Sequence, residues 1–425
     1  MIKFIVLWII SSAICFASAY QNYFKDTYQC LEAMRNKTTG LLRDSVTADL
    51  KTLHDPTSPS NIALDLLVQV ESNHFQDFAG LGKSNINNIL ETLKGLPFHI
   101  ESGLFYNRYS SDGKTVKEWY LSAVDNIHLA YALWVISKVH DEKAKRLTAE
   151  SLFKRFHFNF LYDSETGLFH GGAYLKNGQW MVEKWSYDYW GSEGRSLYGL
   201  SYALGLNKDP RFIEKFKLSM MIEVKDGSLM LWDGGAFQLL LPDLLISETH
   251  YSPSLKAYFL KYAKEAIELG AKRKYPVPAN HSAGQVSLTE YNGKAGSKEL
   301  VSSMNADFKD PILFMKWDNV FTPHAAFLAA TVNANAYENF LQTAEGLGKN
   351  KKLYLEGLGW LDGFHLRGEE QGEVVPVFLA LDQAIIALAT AKILSKDGQL
   401  TGAKLLNENW PENYLLQKFY QNTIK

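Results

Sequence analysis

The chain has 425 residues, of which 46% are hydrophobic, and its 44 basic and 46 acidic side chains leave a net charge of −2. The two signs are interspersed, so charge gives no reason to expect nucleic acid or an anionic membrane surface as a partner. Aromatic residues make up 13% of the chain, with ten Trp and 22 Tyr. Such rings fill a core, but they also stack on the flat faces of sugars, so their positions matter more than their number.

The first nineteen residues have the pattern of a signal peptide. Lys3 precedes an apolar run from Phe4 to Phe16, which is too short to span a membrane as a stable helix. Ala17-Ser18-Ala19 matches an A-x-A cleavage signal. No stop-transfer pattern follows and no later stretch is apolar enough to cross a bilayer, which disfavours an uncleaved anchor. We therefore expect residues 1–19 to be removed and the mature protein to be periplasmic or secreted.

The chain after the predicted signal peptide has a single cysteine and no segment that resembles a linker between domains. Only Cys30 would remain after removal of the signal peptide, since the other cysteine is Cys15. A lone cysteine forms no internal disulfide, so the core must stabilise the fold. Residues 20–425 contain no Pro-, Gly- or Ser-rich linker. We therefore predict a single domain, which we expect to be monomeric.

Apolar residues recur at three- and four-residue spacing along most of the chain, which is typical of α-helices. Several segments begin at an N-cap or N1 signal. These are Ser60, Ser84, Asp209 before Pro210, Ser252 before Pro253, and Thr322 before Pro323. With an N-terminal helix somewhere in 22–54, the segments make about twelve helices. They are 61–75, 84–96, 122–139, 142–162, 194–204, 209–222, 236–247, 252–270, 322–332, 335–348 and 377–394.

The connections between these helices alternate between short and long. The long ones are 97–121, 163–190 and 271–321, and the first contains strand-like residues around a turn at Ser111-Asp112-Gly113. Paired helices with long loops at alternate junctions predict an all-α (α/α)6 toroid, with long loops and small β-hairpins at one end. An open helical solenoid is the alternative, and the lack of a regular repeat of 34–45 residues counts against it.

Motifs for nucleotide, metal and nucleophilic-serine chemistry are missing from the sequence. It contains no P-loop, no dinucleotide glycine fingerprint, no HExxH, no G-x-S-x-G and no Cys/His cluster with metal spacing. We therefore expect neither a cofactor nor a metal. What remains is a set of carboxylates among aromatic residues, which is what glycoside cleavage needs: one carboxyl donates a proton, and another acts as base or nucleophile.

Residues 185–196 read WSYDYWGSEGRS and contain the leading candidate, Glu193. Trp185, Tyr187, Tyr189 and Trp190 come before it, and rings of this kind could form the floor of a sugar cleft and raise the pKa of the carboxyl by desolvation. In the alternative, Glu193 is simply an acid at a helix N-terminus, where the macrodipole favours it. The residues alone leave both alternatives open.

Two further acids stand at helical positions. Asp125 lies at the start of a helix after Trp119 and Tyr120, where an acid more often serves as an N-cap or first-turn residue. Asp382 lies inside the apolar stretch VFLALDQAIIALA, so it faces either a polar cavity or a buried partner.

Eight segments, in order, resemble the glycoamylase-like (α/α)6 family of bacterial β-1,2-glucanases and of the processing domain of cyclic β-1,2-glucan synthases. Together they cover about 56–395, and no single motif is diagnostic. They are TSPSNIAL (57–64), GLFYNRY (103–109), LSAVDNIHLA (121–130), YDYWGSEGR (187–195), LWDGGAFQLLLPDLL (231–245), TPHAAFLA (322–329), LEGLGWLDGFHL (355–366) and LALDQAIIAL (379–388).

The resemblance implies an (α/α)6 toroid that acts on β-glucan, β-1,2-linked, by hydrolysis or transglycosylation. The family's Ser-Glu motif falls on Ser192-Glu193, which makes Glu193 the expected catalytic acid. Its S-x-V-D and I-D-Q acids fall on Asp125 and Asp382, which the resemblance places along the cleft.

Two departures from the family pattern bear on the mechanism. Gln238 stands where family members carry a glutamate in F-E-Y, and His281 stands where synthase-type members carry a second glutamate. A retaining mechanism with two carboxylates is therefore disfavoured. We expect an inverting mechanism in which Glu193 protonates the leaving oxygen and Asp125 or Asp382 activates water. The same departures motivate an alternative, a glycan-binding envelope protein that has lost catalysis.

We also expect a set of substrate-binding residues, although each tryptophan taken singly is more often a core residue. A polysaccharide lyase is a third, weaker hypothesis, since a near-neutral chain does not favour a polyuronate substrate. The expected substrate-binding residues are Trp119, Trp185, Tyr187, Asp188, Trp190, Arg195, Trp232, His281, Trp317 and Trp360.

Overall fold

A computed structural model describes residues 2–187, 192–207, 209, 235–279, 320–366 and 371–408 of the chain. The described residues form thirteen α-helices, together with two 3-10 helices at Ser72–His74 and Phe158–Leu161. The α-helices are α1 (Ile2–Met34), α2 (Pro59–Glu71), α3 (Ala79–Gly95), α4 (Ala123–Val139), α5 (Lys143–Phe153), α6 (Gly194–Ala203), α7 (Ala236–Ile246), α8 (Glu248–Tyr251), α9 (Pro253–Lys272), α10 (Pro323–Ala330), α11 (Ala334–Glu345), α12 (Ala380–Leu394) and α13 (Thr401–Glu408).

Six of these helices form a closed inner ring. Going round it, α2 packs on α4, α4 on α6, α6 on α7, α7 on α10, α10 on α12, and α12 returns to α2. Helices α4 and α12 are apolar on all sides, so each needs neighbours all round it. Outer helices cover the ring: α1 packs on α12, α3 on α2, α5 on α4, and α11 on α10. The predicted (α/α)6 toroid is confirmed, and the open solenoid is excluded because the ring closes.

Fifteen short strands form six antiparallel sheets within the described residues. Every strand lies in a segment that leads from an outer helix into the next inner helix, so the sheets gather at the N-terminal end of the ring, as predicted. The strands are β1 (Ser45–Thr47), β2 (Leu53–His54), β3 (Arg108–Tyr109), β4 (Val116–Glu118), β5 (Tyr120–Ser122), β6 (Tyr162–Asp163), β7 (Leu168–Phe169), β8 (Gly172–Lys176), β9 (Gln179–Val182), β10 (Val320–Phe321), β11 (Tyr354–Leu355), β12 (Gly359–Trp360), β13 (Gly363–His365), β14 (Val374–Val375) and β15 (Val377–Leu379).

Three strands continue directly into inner helices and fix where those helices start. β5 leads into α4, β10 into α10, and β15 into α12. In the sheet β5-β8-β9, Tyr120 pairs with Tyr174 and Ser122 with Gly172, so this sheet stands over the start of α4. The predicted turn before β4 is present, with Gly113 in the left-handed region at φ +73°.

Some predicted boundaries are wrong. The segment 142–162 is not one helix, because α5 ends at Phe153 and the N–H of His157 donates to the carbonyl of Ser102 at 2.8 Å. Gly103 approaches this turn so closely that a Cβ there would lie 1.8 Å from the Arg155 carbonyl oxygen. The first three residues of 377–394 form β15 instead of a helical turn, because they pair with β1.

The helix starts are partly as predicted. Ser252 caps α9 by accepting from the N–H of Leu255 at 3.3 Å, and Thr322 is the N-cap residue of α10. Ser60 is not the cap of α2, since Ser58 accepts from the N–H of Asn61 at 3.1 Å. Helix α3 begins at Ala79, five residues before the predicted Ser84. Of the predicted helix 209–222, only its first residue is described.

Buried charges tie helices that are distant in the sequence. Arg35, directly after α1, places Nη1 2.6 Å from Oδ2 of Asp65 on α2, and both side chains are buried. Lys392 on α12 places Nζ 2.7 Å from Oδ2 of Asp243 on α7. Such pairs are costly to break, because the remaining partner would be a buried, unpaired charge.

The N-terminal helix α1 runs without interruption from Ile2 to Met34, through the predicted cleavage position. Its later part belongs to the core, where Tyr20, Phe24 and Tyr28 are buried. Cleavage and export stay predictions. In the part of the chain that the structure describes, no helix is both long enough and apolar enough to cross a membrane.

Candidate active site

Asp125 lies at the N-terminal end of the inner ring, in the first turn of α4. Ser122 ends β5 and caps this helix, accepting from the N–H of Asp125 at 3.3 Å. Since the serine supplies the cap, the Asp125 carboxylate is not needed for it. Asp125 is partly exposed, whereas its neighbours Val124 and Asn126 are buried.

Glu193 occupies the N-cap position of α6, the next helix of the ring. Its backbone is already helical and its carboxylate makes no capping hydrogen bond. Ser192 accepts instead from the N–H of Gly194 at 3.2 Å. The prediction that Glu193 stands at a helix start is therefore confirmed, but its partly exposed side chain does not act as the cap.

Tyr187 is a phenol that both acids influence. Burial raises the pKa of its phenol well above the usual range, and the nearby carboxylates of Glu193 and then Asp125 raise it further. The ring packs against the start of α6, where a Cβ on Gly194 would lie 2.9 Å from the ring atom Cδ1. The carboxylates of Glu193 and Asp125, at the starts of adjacent inner helices, therefore both influence the Tyr187 phenol electrostatically.

Asp382 lies in a different, buried cluster. Its side chain is 2% exposed, and its Oδ2 lies 3.0 Å from Nδ1 of His324 on α10. Burial raises the pKa of Asp382 to about 7 and that of the adjacent Asp362 well above the usual range. Burial also lowers the pKa of His324 to about 4. Within the described residues, neither carboxylate oxygen of Asp382 has a hydrogen-bond partner, so both sequence alternatives for Asp382 stay open.

Convergence of the three acids in one cleft stays a prediction, although Glu193 and Asp125 both act electrostatically on Tyr187. The charged groups that act on Asp382 are Asp362, Asp44 and His324. Neither Glu193 nor Asp125 is among those groups. The Asp382 carboxyl lies between α12 and α10, and its place along a cleft stays a prediction.

Two predicted aromatic residues, Trp185 and Trp119, have half-exposed rings in the segments that lead into α6 and α4. Trp185 is 50% exposed and meets Tyr187 edge to face, with ring centroids 5.3 Å apart. Its ring covers Gly171, where a Cβ would lie 2.0 Å from the indole. Trp119 is also 50% exposed and directly precedes β5. Both rings offer a flat apolar face to solvent.

Two aromatic residues that the sequence did not single out extend the Trp119 surface. Tyr106 lies 4.8 Å from Trp119 between ring centroids and stacks on Trp180 at 5.8 Å. Trp180 is on β9, whose neighbouring residues alternate in exposure along the strand. That alternation is a weak sequence signal. Once the hairpin of β8 and β9 is recognised, the alternation places Trp180 on one of its faces.

Two predicted substrate-binding residues are core residues in the structure. Trp360 is fully buried, with its ring 5.6 Å from Phe327 and 4.9 Å from Tyr354 between centroids. Arg195 is fully buried as well, and its Nε lies 3.0 Å from Oε1 of Glu248. Neither side chain reaches solvent, so neither is a sugar contact here. The other five expected residues lie outside the described ones: Asp188, Trp190, Trp232, His281 and Trp317.

Gln238 has a specific role at the site. Its Oε1 accepts a hydrogen bond of 2.9 Å from the backbone N–H of Glu193. The neutral amide that departs from the family pattern thus holds the start of α6 in place. Within the described residues, no group of three or more His, Cys, Asp or Glu side chains is arranged to hold a metal ion.

Comparison with known proteins gives matches of structure only. No protein-family model matches the sequence, and no curated protein matches it. An endo-β-1,2-glucanase mutant from Talaromyces funiculosus, solved with β-1,2-glucan, superposes with a TM-score of 0.70 at 11% identity, over 98% of this chain and 92% of the other.

Two further structures show how far the likeness extends. An endo-β-1,2-glucanase from Chitinophaga pinensis, in complex with sophorotriose and glucose, gives a TM-score of 0.67 at 12% identity, over 96% of this chain and 98% of the other. A cellobiose 2-epimerase from Bacillus thermoamylovorans gives 0.55 at 12% identity, over 89% and 99%. At these identities the likeness shows the fold alone. The resemblance to the β-1,2-glucanase fold is confirmed at that level.

Proposed function

We propose that the protein is a glycoside hydrolase that cleaves a β-glucan, β-1,2-linked. The observation that carries this proposal is the pair Glu193 and Asp125, which start adjacent inner helices and share Tyr187. Two of the structurally similar proteins are endo-β-1,2-glucanases, which supports the substrate class.

Glu193 is the proposed general acid. Its carboxyl is partly enclosed beside Tyr187, and Tyr187 in turn contacts the ring of Trp185. In this role the carboxyl donates its proton to the leaving oxygen. Because the phenol of Tyr187 keeps its proton, it can donate a hydrogen bond to a carboxylate or to a sugar hydroxyl.

Asp125 is the proposed base, acting on water either directly or through a group that positions the water. In an inverting enzyme the two carboxyl groups stand roughly 6.5–9.5 Å apart, which leaves room for that water. The location of the two acids on adjacent inner helices is compatible with such a gap. Asp382 is the alternative base, and it lies in a buried cluster with His324 and Asp362.

Trp119 and Trp185 are the proposed walls of sugar subsites. Each presents half of its surface to solvent beside the strands that lead into α4 and α6. An exposed indole face is suited to the apolar face of a pyranose ring. We also propose that cleavage after Ala19 sends the protein to the periplasm or outside the cell, where such a substrate would be met.

The test compares reducing-sugar release from linear β-1,2-glucan by the wild type and by Glu193→Gln. General acid catalysis contributes about 10²–10⁴-fold, so we expect the variant to lose turnover by that factor. The matched control is Glu150→Gln, the same change on the outer helix α5, which should keep full activity. A fully active Glu193→Gln variant would show that Glu193 is not the acid.

A catalytically inactive glycan-binding protein is the second candidate, favoured by the neutral Gln238 at the start of α6. Calorimetric titration with β-1,2-linked oligosaccharides, in parallel with the turnover assay, separates the two. Saturable binding without any product from β-1,2-, β-1,3- or β-1,4-glucan would favour the binding protein. Product formation excludes it.

A further inference from the structure

A continuous series of hydrogen bonds connects side chains of four inner helices and ends at the backbone of Glu193. Ser60 of α2 lies with Oγ 3.2 Å from Nδ1 of His128 on α4. The other ring nitrogen, Nε2, lies 3.0 Å from Oγ of Ser196 on α6. Ser196 Oγ donates to the carbonyl of Glu193 at 2.7 Å. From the other side, Gln238 of α7 accepts from the N–H of Glu193.

The direction of each hydrogen bond follows from donor counting. Ser196 uses its only hydroxyl proton on the Glu193 carbonyl, so it must accept from Nε2–H of His128. A neutral imidazole protonated at Nε2 then accepts at Nδ1, and the hydroxyl of Ser60 donates to it. One tautomer of His128 satisfies every hydrogen bond in this series, so these hydrogen bonds fix the ring in one orientation.

Burial maintains this state of His128. The side chain is 1% exposed, and burial lowers its pKa to about 4, against the opposite effect of the nearby Asp125 carboxylate. The imidazole is therefore neutral over the range in which the protein would work. Ser196 is fully buried and Gln238 is 7% exposed, so water does not compete readily for these contacts.

We infer that His128 and Gln238 are positioning residues that hold the backbone of Glu193 in one conformation for catalysis. Gln238 of α7 accepts from the N–H of Glu193, and Ser196 of α6 donates to its carbonyl. His128 of α4 and Ser60 of α2 continue the series of hydrogen bonds beyond Ser196. A carboxyl misplaced by about 1 Å can cost about 10²-fold in turnover. The inference rests on the proposed function for the role of Glu193, but the backbone contacts stand without it.

The kinetic test uses two pairs of variants. His128→Leu removes both contacts of the ring, whereas His128→Gln keeps an amide donor that can reach Ser196. Gln238→Leu removes the acceptor for the Glu193 N–H, whereas Gln238→Glu keeps an acceptor oxygen. We expect kcat on β-1,2-glucan to fall about 10²-fold in both leucine variants with KM little changed. The two conservative variants should recover most of that loss.

Tyr131→Phe is the matched control. Tyr131 is also buried, in the middle of α4, and its hydroxyl donates to the carbonyl of Leu245 near the C-terminal end of α7 at 2.8 Å. This variant loses a cross-helix hydrogen bond of the same kind without touching Glu193. Its kcat should stay at the wild-type value. Equal losses of kcat in all three variants would reduce the effect to general destabilisation and overturn the inference.

Hydrogen exchange of the segment 192–197 gives a readout that does not depend on turnover. We expect the Glu193 amide to exchange faster in Gln238→Leu and in His128→Leu, but not in Tyr131→Phe. Unchanged exchange in both leucine variants would overturn the inference. If the wild type has no turnover while the exchange rates rise as expected, the proposed function fails and the positioning of the Glu193 backbone stands.

Discussion

Glu71 and Thr401 are joined by a hydrogen bond that spans most of the chain. Oε1 of Glu71, the last residue of α2, accepts from the backbone N–H of Thr401 at 2.7 Å, where α13 begins. The carboxyl therefore lies at the N-terminal end of that helix, among the buried residues of the far end of the ring. Burial nevertheless raises the pKa of Glu71 to about 7, because desolvation outweighs the favourable contacts with Thr401 and Lys404.

This raised pKa makes stability depend on pH in a defined direction. An unfolded glutamate titrates near 4.5, so between pH 4.5 and 7 the folded protein holds a proton that the unfolded chain has lost. The contribution of Glu71 to the free energy of unfolding is thus largest below the unfolded pKa and falls as pH rises towards 7. The loss over this range is about 3 kcal/mol.

Glu71→Gln should remove that slope. The glutamine keeps an oxygen for the Thr401 N–H and has no charge to bury, so the variant should be more stable than the wild type at pH 8. Urea unfolding at several pH values between 4.5 and 8 measures the difference. Glu268→Gln, on the exposed face of α9, is the control and should follow the wild type. Parallel curves for wild type and Glu71→Gln would contradict the prediction.

Replacement by asparagine should change the free energy of unfolding by very different amounts at two buried aspartates, Asp362 and Asp65. Asp362 lies beside Asp382, and its pKa is raised well above the usual range by burial and by that neighbour, so it is protonated at neutral pH. Asp362→Asn replaces one neutral group by another and should change the free energy of unfolding by less than about 1 kcal/mol. Asp65→Asn removes the more buried of the carboxylates that pair with Arg35, while Glu32 remains, and should cost about 3 kcal/mol.

Denaturant unfolding of both variants at pH 7 checks this contrast. Both residues are about 1% exposed, so burial alone would predict similar effects. A loss in Asp362→Asn as large as that in Asp65→Asn would show that Asp362 is ionised in the folded protein.

Gly194→Ala should reduce activity more than stability. The added Cβ would lie 2.9 Å from the ring of Tyr187, so the ring that both proposed catalytic acids influence has to move. We expect kcat to fall by about tenfold or more, with little change in the melting temperature. Gly95→Ala on α3, where an added Cβ meets nothing within 4 Å, is the control and should leave kcat unchanged. Wild-type turnover in Gly194→Ala would exclude a role for the position of Tyr187.

Loss of either exposed indole should weaken substrate binding. Trp185→Ala and Trp119→Ala each remove a half-exposed ring from a segment that leads into α6 or α4, and a stacking contact is worth about tenfold in affinity. We expect KM for β-1,2-glucan to rise by about that factor in each variant. Leu147→Ala removes an equally exposed apolar side chain from the outer helix α5 and should not change KM. An unchanged KM in both tryptophan variants would place the subsites elsewhere.

The helices were predictable because their signals are local. Inner helices such as α4 and α12 are apolar on all sides, and Thr322 and Ser252 start helices in front of proline. Predictions failed where hydrogen bonds to a distant part of the backbone determine the local structure. The helix predicted through 162 ends at Phe153 because the following turn bonds to the loop at Ser102, which no local pattern in the segment shows.

The site was predictable in part for the same reason. Glu193 and Asp125 stand in aromatic surroundings that are visible in the sequence, and in the structure both act electrostatically on one phenol, that of Tyr187. Arg195 looked like a binding residue because its partner, Glu248, is 53 positions away. His128 went unnoticed because its contacts lie on two other helices, so that within α4 it is one more residue of a buried face.

Closure of the ring constrains where the sequence can accept insertions and deletions. Each inner helix has two inner neighbours, and the contact of α12 with α2 joins segments more than 300 residues apart. A stacked array of repeats can lose one unit and still leave its remaining interfaces intact. Here, deletion of a helix pair would expose two apolar faces at once. Changes in length are therefore expected in the strand-bearing segments at the N-terminal end of the ring, where substrate specificity can diverge while the ring of inner helices is kept.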